Sequence, residues 1–254
     1  MPDQAFSEHQ RVLNRPYCLA AFLYPARTED GVVLLDLMRN KYLGITGSHD
    51  ALLAEVVLGW PELPKAQITN RPGRDLAVDL EQKIKTLLTA GVLIKPSEAR
   101  DPFPSISVSL HQDLVSISDE FRPRVRITLR HVLNFLWACA LAAFSLRWRK
   151  LLVVAQDVRA TRDAQQHAAF DCDVASEHVA VFRRLRCYVF SAKGRCLFHS
   201  LALVFFLQRY GVFPTWAIGI KTDTWEAHSW VQEGPYLLDT NPEKVCEFTP
   251  ILGI

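Results

Sequence analysis

The sequence has little excess charge of one sign and no long hydrophobic run. Its 254 residues carry 29 Lys and Arg against 27 Asp and Glu, a net charge of +2. Proteins that bind nucleic acid usually carry a clear basic excess, so this balance argues against a nucleic-acid partner. The longest apolar stretch, residues 132–146, spans 15 residues, which is shorter than the ~18 expected of a bilayer span. We interpret it as a buried core helix and predict no membrane partner.

Signals for secretion and for a disulfide framework are also missing. Residues 1–10 are polar, and no apolar core of signal-peptide length follows them. None of the six cysteines belongs to a C-x-x-C pair, which argues against a disulfide framework and against a structural zinc site. The sequence therefore predicts a cytoplasmic protein with free thiols, at least one of which is available for chemistry.

The N-terminal part alternates β-prone runs with turn signals and then becomes helical. The pattern predicts three strands, at residues 18–24, 32–37 and 41–45. A helix is expected to begin at Ser48, and residues 75–90 have apolar side chains at helical spacing. We therefore predict that residues 1–97 form one domain. Residues 98–114, which include prolines and charged side chains, are predicted to be a linker.

Residues 115–254 are predicted to form a second domain. Helical patterns fill most of residues 124–186, and a mainly apolar helix is expected over residues 196–210. An antiparallel meander of three strands should follow, at residues 215–220, 228–232 and 236–239. Helices and antiparallel strands in both halves predict an α+β fold.

Three residues of the second domain are candidates for catalysis. Cys196 begins the apolar helix, where the helix dipole favours a thiolate. A helix end supplies only ~0.3–1 kcal/mol at an exposed site, whereas lowering a thiol pKa by two units requires ~2.7 kcal/mol. A neighbouring imidazolium is the natural source of the remaining stabilisation. His228 and Asp239 belong to adjacent predicted strands and would meet if those strands pair. Cys196 is thus the expected nucleophile, His228 the base, and Asp239 the group that orients the imidazole.

Spacing alone leaves other interpretations open. Cys196 could be a small packed side chain, His228 an ordinary strand residue and Asp239 a turn residue. His199 is a rival base, because it follows Cys196 by one helical turn. A Cys-x-x-His pair could also begin a metal site, but further ligands are not evident, so no metal is expected.

Four sequence blocks, in this order, resemble the B proteins of lasso-peptide biosynthesis: GRCLFHSLAL at 194–203, GVFP at 211–214 followed by AIGI at 217–220, AHSWV at 227–231 and LD at 238–239. The resemblance implies a transglutaminase-like, papain-related fold and a leader peptidase with Cys196, His228 and Asp239 as catalytic residues. Two positions depart from the usual pattern. Ser229 stands where Ala is common, and His199 stands where a basic residue often occurs.

The first domain resembles the precursor-peptide recognition element of peptide-modifying enzymes. The likeness is carried by GVVLLD at 31–36 and KYLGI at 41–45. That element is a winged-helix relative of the small chaperone of pyrroloquinoline quinone biosynthesis. The resemblance implies that a leader peptide adds a strand beside the third strand and against the last helix. The implied leader-binding residues are Lys41, Tyr42, Leu43, Gly44, Ile45, Lys83 and Ile84.

Both resemblances together imply the fused form of the lasso B protein. A winged-helix-like recognition domain would capture the leader of a ribosomally made precursor, and the peptidase domain would cleave it from the core peptide. The implied partners are the precursor peptide and a separate ATP-dependent, asparagine-synthetase-like cyclase that closes the macrolactam ring; no cofactor is implied. Two alternatives stay open: a non-catalytic leader-binding protein that docks the cyclase, and an acyl transferase that uses the same three residues.

Overall fold

The computed structural model describes residues 15–46, 48–62, 74–99, 105, 108, 110, 114–117, 125–165, 170–189 and 194–254. The chain divides into two compact units, Met1–Phe103 and Pro104–Ile254. Both units contain strands and helices, so the fold is mixed α+β. Most of the predicted linker, residues 98–114, lies outside the described residues.

The described elements of the first unit are, in order, β1 (Tyr17–Leu19), β2 (Leu23–Thr28), β3 (Gly31–Asp36), β4 (Lys41–Thr46), α1 (Ser48–Val56), β5 (Val57–Leu58), α2 (Arg74–Thr89), β6 (Leu93–Ile94) and a short 3-10 helix (Pro96–Glu98). Strands β2, β3 and β4 form an antiparallel sheet with β3 in the centre. A second small sheet has the order β5-β1-β6. The central strand β3 is buried along its whole length, which explains its continuous run of apolar residues.

The first predicted strand differs from the structure. Residues 18–24 were expected to be one strand, but they fall into β1 and β2, which belong to different sheets. A turn separates them, closed by a 2.9 Å hydrogen bond from the Leu23 N–H to the Ala20 carbonyl. The turn contains neither Gly nor Pro, and both Ala20 and Leu23 are buried in the core. The sequence therefore shows an unbroken apolar run where the chain changes sheet.

The described elements of the second unit are β7 (Val115–Ser116), α3 (Leu129–Trp148), α4 (Leu151–Asp163), α5 (Cys172–Val189), α6 (Cys196–Gln208), β8 (Thr215–Lys221), β9 (Glu226–Glu233), β10 (Tyr236–Leu237), α7 (Pro242–Cys246) and β11 (Thr249–Gly253). The sheet order is β11-β8-β9-β10-β7. Neighbouring strands are antiparallel except for β10 and β7, which are parallel.

Helix α6 is the central element of this unit. Eight consecutive residues, Ser200 to Leu207, are buried, because the helix packs against β8 and β9 as well as α3 and α5. The Phe206 ring lies 6.4 Å from the Phe135 ring and 5.5 Å from the Phe182 ring, measured between centroids. A helix that is apolar on all sides is typical of such a buried position. The core therefore fixes the start of α6 relative to β9.

Helix α3 includes the apolar run that was expected to be a buried core helix. One face is buried, through Phe135, Ala138, Cys139, Ala142 and Ser145. Among the described helices, α3 alone is long and apolar enough to cross a membrane by length and composition, and only 28% of that apolar window is buried. The expectation of a buried helix therefore holds for one face only, since large apolar side chains on the other face are exposed.

Candidate active site

Cys196 is the first residue of α6, and the turn before the helix sets its position. Gly194 adopts a φ of +71°, a left-handed conformation that glycine reaches without strain. The Cys196 thiol is partly exposed, and its Sγ lies 3.8 Å from the Ala227 carbonyl oxygen on β9. The thiol therefore lies at the positive end of the helix dipole, next to the strand residue that precedes His228.

His228 lies on β9 in an apolar setting. Its ring is stacked on Trp230, with centroids 6.2 Å apart, and lies 5.2 Å from the Phe248 ring. Its Nε2 atom is buried and has no hydrogen-bond partner among the described residues. Burial, together with the nearby Lys244 and His199, lowers the pKa of His228 to about 4. The imidazole is therefore neutral at neutral pH and can accept a proton.

Asp239 follows β10 in a left-handed conformation, with a φ of +68°, which Asp tolerates better than most residues. Its side chain is only 4% exposed. The carboxylate contacts Arg183 and Arg186 at 3.0 Å each and His199 Nε2 at 2.9 Å. These contacts occupy both carboxylate oxygens. A buried carboxylate needs such partners to offset the cost of desolvation.

His199, the rival base, is therefore the histidine in contact with Asp239. Its Nε2 lies 2.9 Å from Asp239 and also 2.9 Å from Arg186 Nη1. A protonated Nε2 donates to the carboxylate, whereas an unprotonated Nε2 accepts from the guanidinium, so the proton position selects one of the two bonds. The His199 ring also packs 5.6 Å from Phe182. His199 thus belongs to an ion cluster, whereas His228 lies among aromatic rings.

The three predicted catalytic residues and the rival base line one cleft of about 470 Å³. The polar side chains of its lining include Arg186, Cys196, His199, Glu226, His228, Asp239 and Lys244. A nucleophile, a neutral imidazole and a buried carboxylate in one cleft are the groups that acyl transfer through a thioester requires. The described contacts do not bring Asp239 and His228 into a hydrogen bond.

A buried hydrogen-bond network connects the helix of Cys196 to the strand of His228. The Trp216 indole donates to Ser200 Oγ at 2.8 Å, and the Ser200 and Ser229 hydroxyls are 2.8 Å apart. The Ser229 hydroxyl donates to the Ala217 carbonyl at 2.9 Å. Ser200 lies one turn after Cys196, and Ser229 follows His228. The network therefore fixes the nucleophile relative to the imidazole, a role that the sequence pattern did not reveal.

The implied leader-binding residues lie in the first unit. Among the described strands, β4 lies at an edge, since the sheet order is β2-β3-β4. Lys41, Tyr42, Leu43 and Gly44 are exposed, whereas Ile45 is buried in the core. On α2, Lys83 is exposed and Ile84 packs partly against the core. Strand β4 thus carries exposed residues at the edge of the described sheet, which is where strand addition takes place.

Among the described residues, no group of three or more His, Cys, Asp or Glu side chains is placed to hold a metal ion.

The family model of the transglutaminase-like superfamily matches residues 129–253. The match spans α3 to β11 and includes Cys196, His228 and Asp239. The chain therefore contains a transglutaminase-like domain, a class consistent with cysteine-protease-like or acyltransferase-like activity. Comparison with curated proteins gave no significant match, and comparison with solved structures gave none either.

Proposed function

We propose that this transglutaminase-like domain is a cysteine peptidase that removes the leader from a ribosomally synthesised lasso-peptide precursor. The observation that carries the proposal is the cleft itself, where Cys196 begins a buried helix and faces the strand of a neutral His228. A short motif can arise in a sequence by chance more easily than a cleft that brings the same residues together. The alternative of a purely structural cysteine does not account for the shared cleft.

In the proposed reaction, His228 takes the proton of the Cys196 thiol, and the sulfur attacks the scissile carbonyl carbon. The tetrahedral intermediate collapses when the carbon–nitrogen bond breaks, and the imidazolium gives its proton to the departing amine of the core peptide. Water, deprotonated by His228, then hydrolyses the thioester and releases the leader carboxylate. The backbone N–H of Cys196 is the proposed oxyanion donor, since the first N–H groups of a helix have no intrahelical acceptor.

Asp239 is proposed to orient the catalytic imidazole. Its contacts favour His199 as the partner, whereas the unpaired Nε2 of His228 favours His228 as the group that still needs one. We assign the base to His228, because Ala227 beside it contacts the Cys196 thiol. In this assignment Arg183 and Arg186 hold the Asp239 carboxylate at the edge of the cleft.

The first unit is proposed to be a winged-helix-like recognition domain, which makes the protein a fused lasso B protein. The position of β4 at the edge of the described sheet supports this proposal, because a leader peptide that adds a strand there could set its side chains against α2. The product would then pass to an ATP-dependent cyclase, the proposed second partner.

Mass spectrometry of the protein incubated with a candidate precursor tests the function directly. We expect two products whose masses sum to that of the precursor plus water, and none with Cys196→Ala. Adding a primary amine to the reaction distinguishes a peptidase from an acyl transferase, because an acyl transferase would attach the amine to the leader. Binding without any new mass in the wild type would instead indicate the non-catalytic leader-binding protein.

A further inference from the structure

Helix α3 carries an exposed apolar face. Six large side chains are between 47% and 74% exposed: Leu129, Leu133, Leu136, Trp137, Phe144 and Trp148. At about 100° per residue they fall within an arc of about 120°. Large apolar side chains gathered in one stripe mark an interaction surface more often than scattered ones do. We call these six residues the α3 face.

The opposite side of α3 is fixed in the core of the second unit. Phe135, Ala138 and Ala142 are at most 1% exposed, and the Phe135 ring packs against Phe182 with centroids 5.3 Å apart. The helix therefore cannot turn its apolar face inward without losing this packing. A partner must approach the α3 face from outside, along the length of the helix.

The charged side chains of α3 and of the residues that flank it in the chain are of one sign. Residues 125–150 contain five Arg and Lys and no Asp or Glu. Arg126 and Arg130 lie at the start of the helix, Arg147 and Lys150 lie at its end, and all four are exposed. Arg149 is the exception, because it pairs with Asp157 of α4 at 2.5 Å. The surface therefore complements a partner that is both apolar and anionic.

Two tryptophans of the face are paired with arginines. The Arg147 guanidinium lies 4.8 Å from the Trp148 ring centroid, and that of Arg209, at the end of α6, lies 5.2 Å from Trp137. Tryptophan is enriched at membrane–water interfaces because its ring is apolar and its N–H is polar. Arginine places its charge at the headgroup level while its stem covers apolar surface.

A second copy of the chain fits this surface poorly. Two α3 helices packed face to face would bring arginines and lysines of both copies together, whether the helices run parallel or antiparallel. No acidic side chain in residues 125–150 could pair with them. The like charges would oppose association.

Although the sequence alone predicts no membrane partner, the exposed side of α3 leads us to propose that the α3 face binds in the plane of an anionic lipid bilayer. Its leucine and aromatic side chains would enter the boundary between headgroups and acyl chains, while Arg126, Arg130, Arg147 and Lys150 contact lipid phosphates. The buried opposite face keeps the helix at the surface of the membrane. The leader peptidase would then work next to a bilayer rather than free in solution.

Co-sedimentation of the full chain with lipid vesicles tests the proposal. We expect binding to phosphatidylcholine vesicles with about 30% phosphatidylglycerol, at least tenfold weaker binding to pure phosphatidylcholine, and loss of the difference at about 1 M salt. The double variant Leu136→Asp/Phe144→Asp should weaken binding to anionic vesicles by at least about tenfold, because both side chains leave the apolar boundary.

Two control variants distinguish vesicle binding through the α3 face from nonspecific binding by other exposed aromatic residues and from an effect of catalysis. Tyr188→Asp removes an aromatic ring that is 87% exposed on α5, and this variant should bind vesicles as the wild type does. Cys196→Ala should also bind unchanged, so failure of the proposed chemistry and failure of membrane binding are independent results. Thermal unfolding of each variant shows that the fold is kept.

Three outcomes would overturn membrane binding. One is wild-type protein that stays in the supernatant with every vesicle type. The second is equal binding of the wild type and the Leu136→Asp/Phe144→Asp variant. The third is a wild-type dimer in sedimentation velocity that this variant converts to a monomer, which would make a second copy the occupant of the face.

Discussion

Among single residues, the two histidines of the cleft have opposite surroundings. His228 is 8% exposed and lies between aromatic rings, while His199 lies against Asp239 and Arg186. A base that must take a proton from a thiol has to be neutral, and burial lowers the pKa of His228 to about 4. His199 has the contacts of a residue that holds Asp239 in place.

Replacing each histidine separates these roles. We expect His228→Ala to lower kcat by several orders of magnitude, because the proton acceptor is lost. His199→Ala should lower it far less, because Arg183 and Arg186 still hold Asp239. The measurement is kcat with saturating precursor, and circular dichroism controls for folding. The reverse order of losses would make His199 and Asp239 the working pair.

The pKa of His228 also makes stability depend on pH. Because the folded state lowers this pKa from 6.5 to about 4, the unfolded state binds the proton first as the pH falls. Stability from this residue is therefore complete above pH 6.5 and is lost toward pH 4. We expect the unfolding free energy of the wild type to fall by about 3 kcal/mol relative to His228→Gln across that window. Urea denaturation of the wild type and of His228→Gln at pH 6.5 and at pH 4 measures this difference. An equal change in unfolding free energy for the two proteins would contradict the buried neutral imidazole.

Sequence reasoning reached Cys196, His228 and Asp239 through short motifs around each residue. It did not reach the arginines, because Arg186 is 53 residues from its partner Asp239. The one available signal was the spacing of Arg183 and Arg186, which places both on one side of α5. Which carboxylate they meet depends on how α5 packs beside the sheet, and a local pattern does not specify that packing.

At the scale of secondary-structure elements, the Ser200 network joins α6 to the sheet. Ser200→Ala should leave the Trp216 indole and the Ser229 hydroxyl without their shared partner, at a cost of about 1–3 kcal/mol. Ser229→Ala should cost less, because Ser200 keeps its bonds to Trp216 and to the Leu197 carbonyl. Chemical denaturation of both variants measures the costs.

A catalytic measurement separates stability from positioning in the same pair. Because Ser200 lies one turn from the nucleophile, Ser200→Ala should also lower kcat at a temperature where the variant is fully folded. Unchanged kcat in the folded variant would show that the network only stabilises the core.

The β4 edge allows a second test of an element. Leu43→Pro removes a strand N–H and fixes φ, so it should raise KM for the precursor strongly and leave kcat nearly intact, since leader capture is uniform binding. Leu43→Thr keeps the N–H and a β-prone side chain and is the matched control. Equal KM values for the two variants would place leader recognition away from this strand.

Periodicity and turn signals predicted the element types and the pairing of β8, β9 and β10 in the meander, but not the pairing partners of β7 and β11. The predicted helix over residues 75–90 corresponds to α2, and the predicted meander corresponds to β8, β9 and β10. The edge strands β7 and β11 were missed. The two residues of β7 pair with β10 far along the chain, and β11 contains Pro250 and an irregularity in its pairing with β8. Short or irregular strands owe their pairing to tertiary contacts, which hydrophobic patterns do not report.

At the scale of the whole molecule, each unit has a core of its own. The first unit packs Val32, Leu34 and Leu53 in one buried cluster, and the second packs its aromatic residues around α6. A core that closes within one unit is the condition for independent folding. We therefore expect a fragment of residues 1–103 to fold alone, with a cooperative unfolding transition by circular dichroism.

The fragment of residues 1–103 tests whether leader binding and peptide cleavage belong to different units. It contains β4 but none of Cys196, His228 and Asp239, so it should bind labelled leader in fluorescence anisotropy with an affinity close to that of Cys196→Ala full-length protein, and should cut nothing. A fragment of residues 104–254 should retain cleavage at high precursor concentration, because it keeps the whole cleft, but with a KM raised as in Leu43→Pro. If the first fragment folds and fails to bind while the intact chain binds well, recognition requires the second unit. In that case the edge strand is not sufficient for leader recognition, and the cleft itself must read part of the leader.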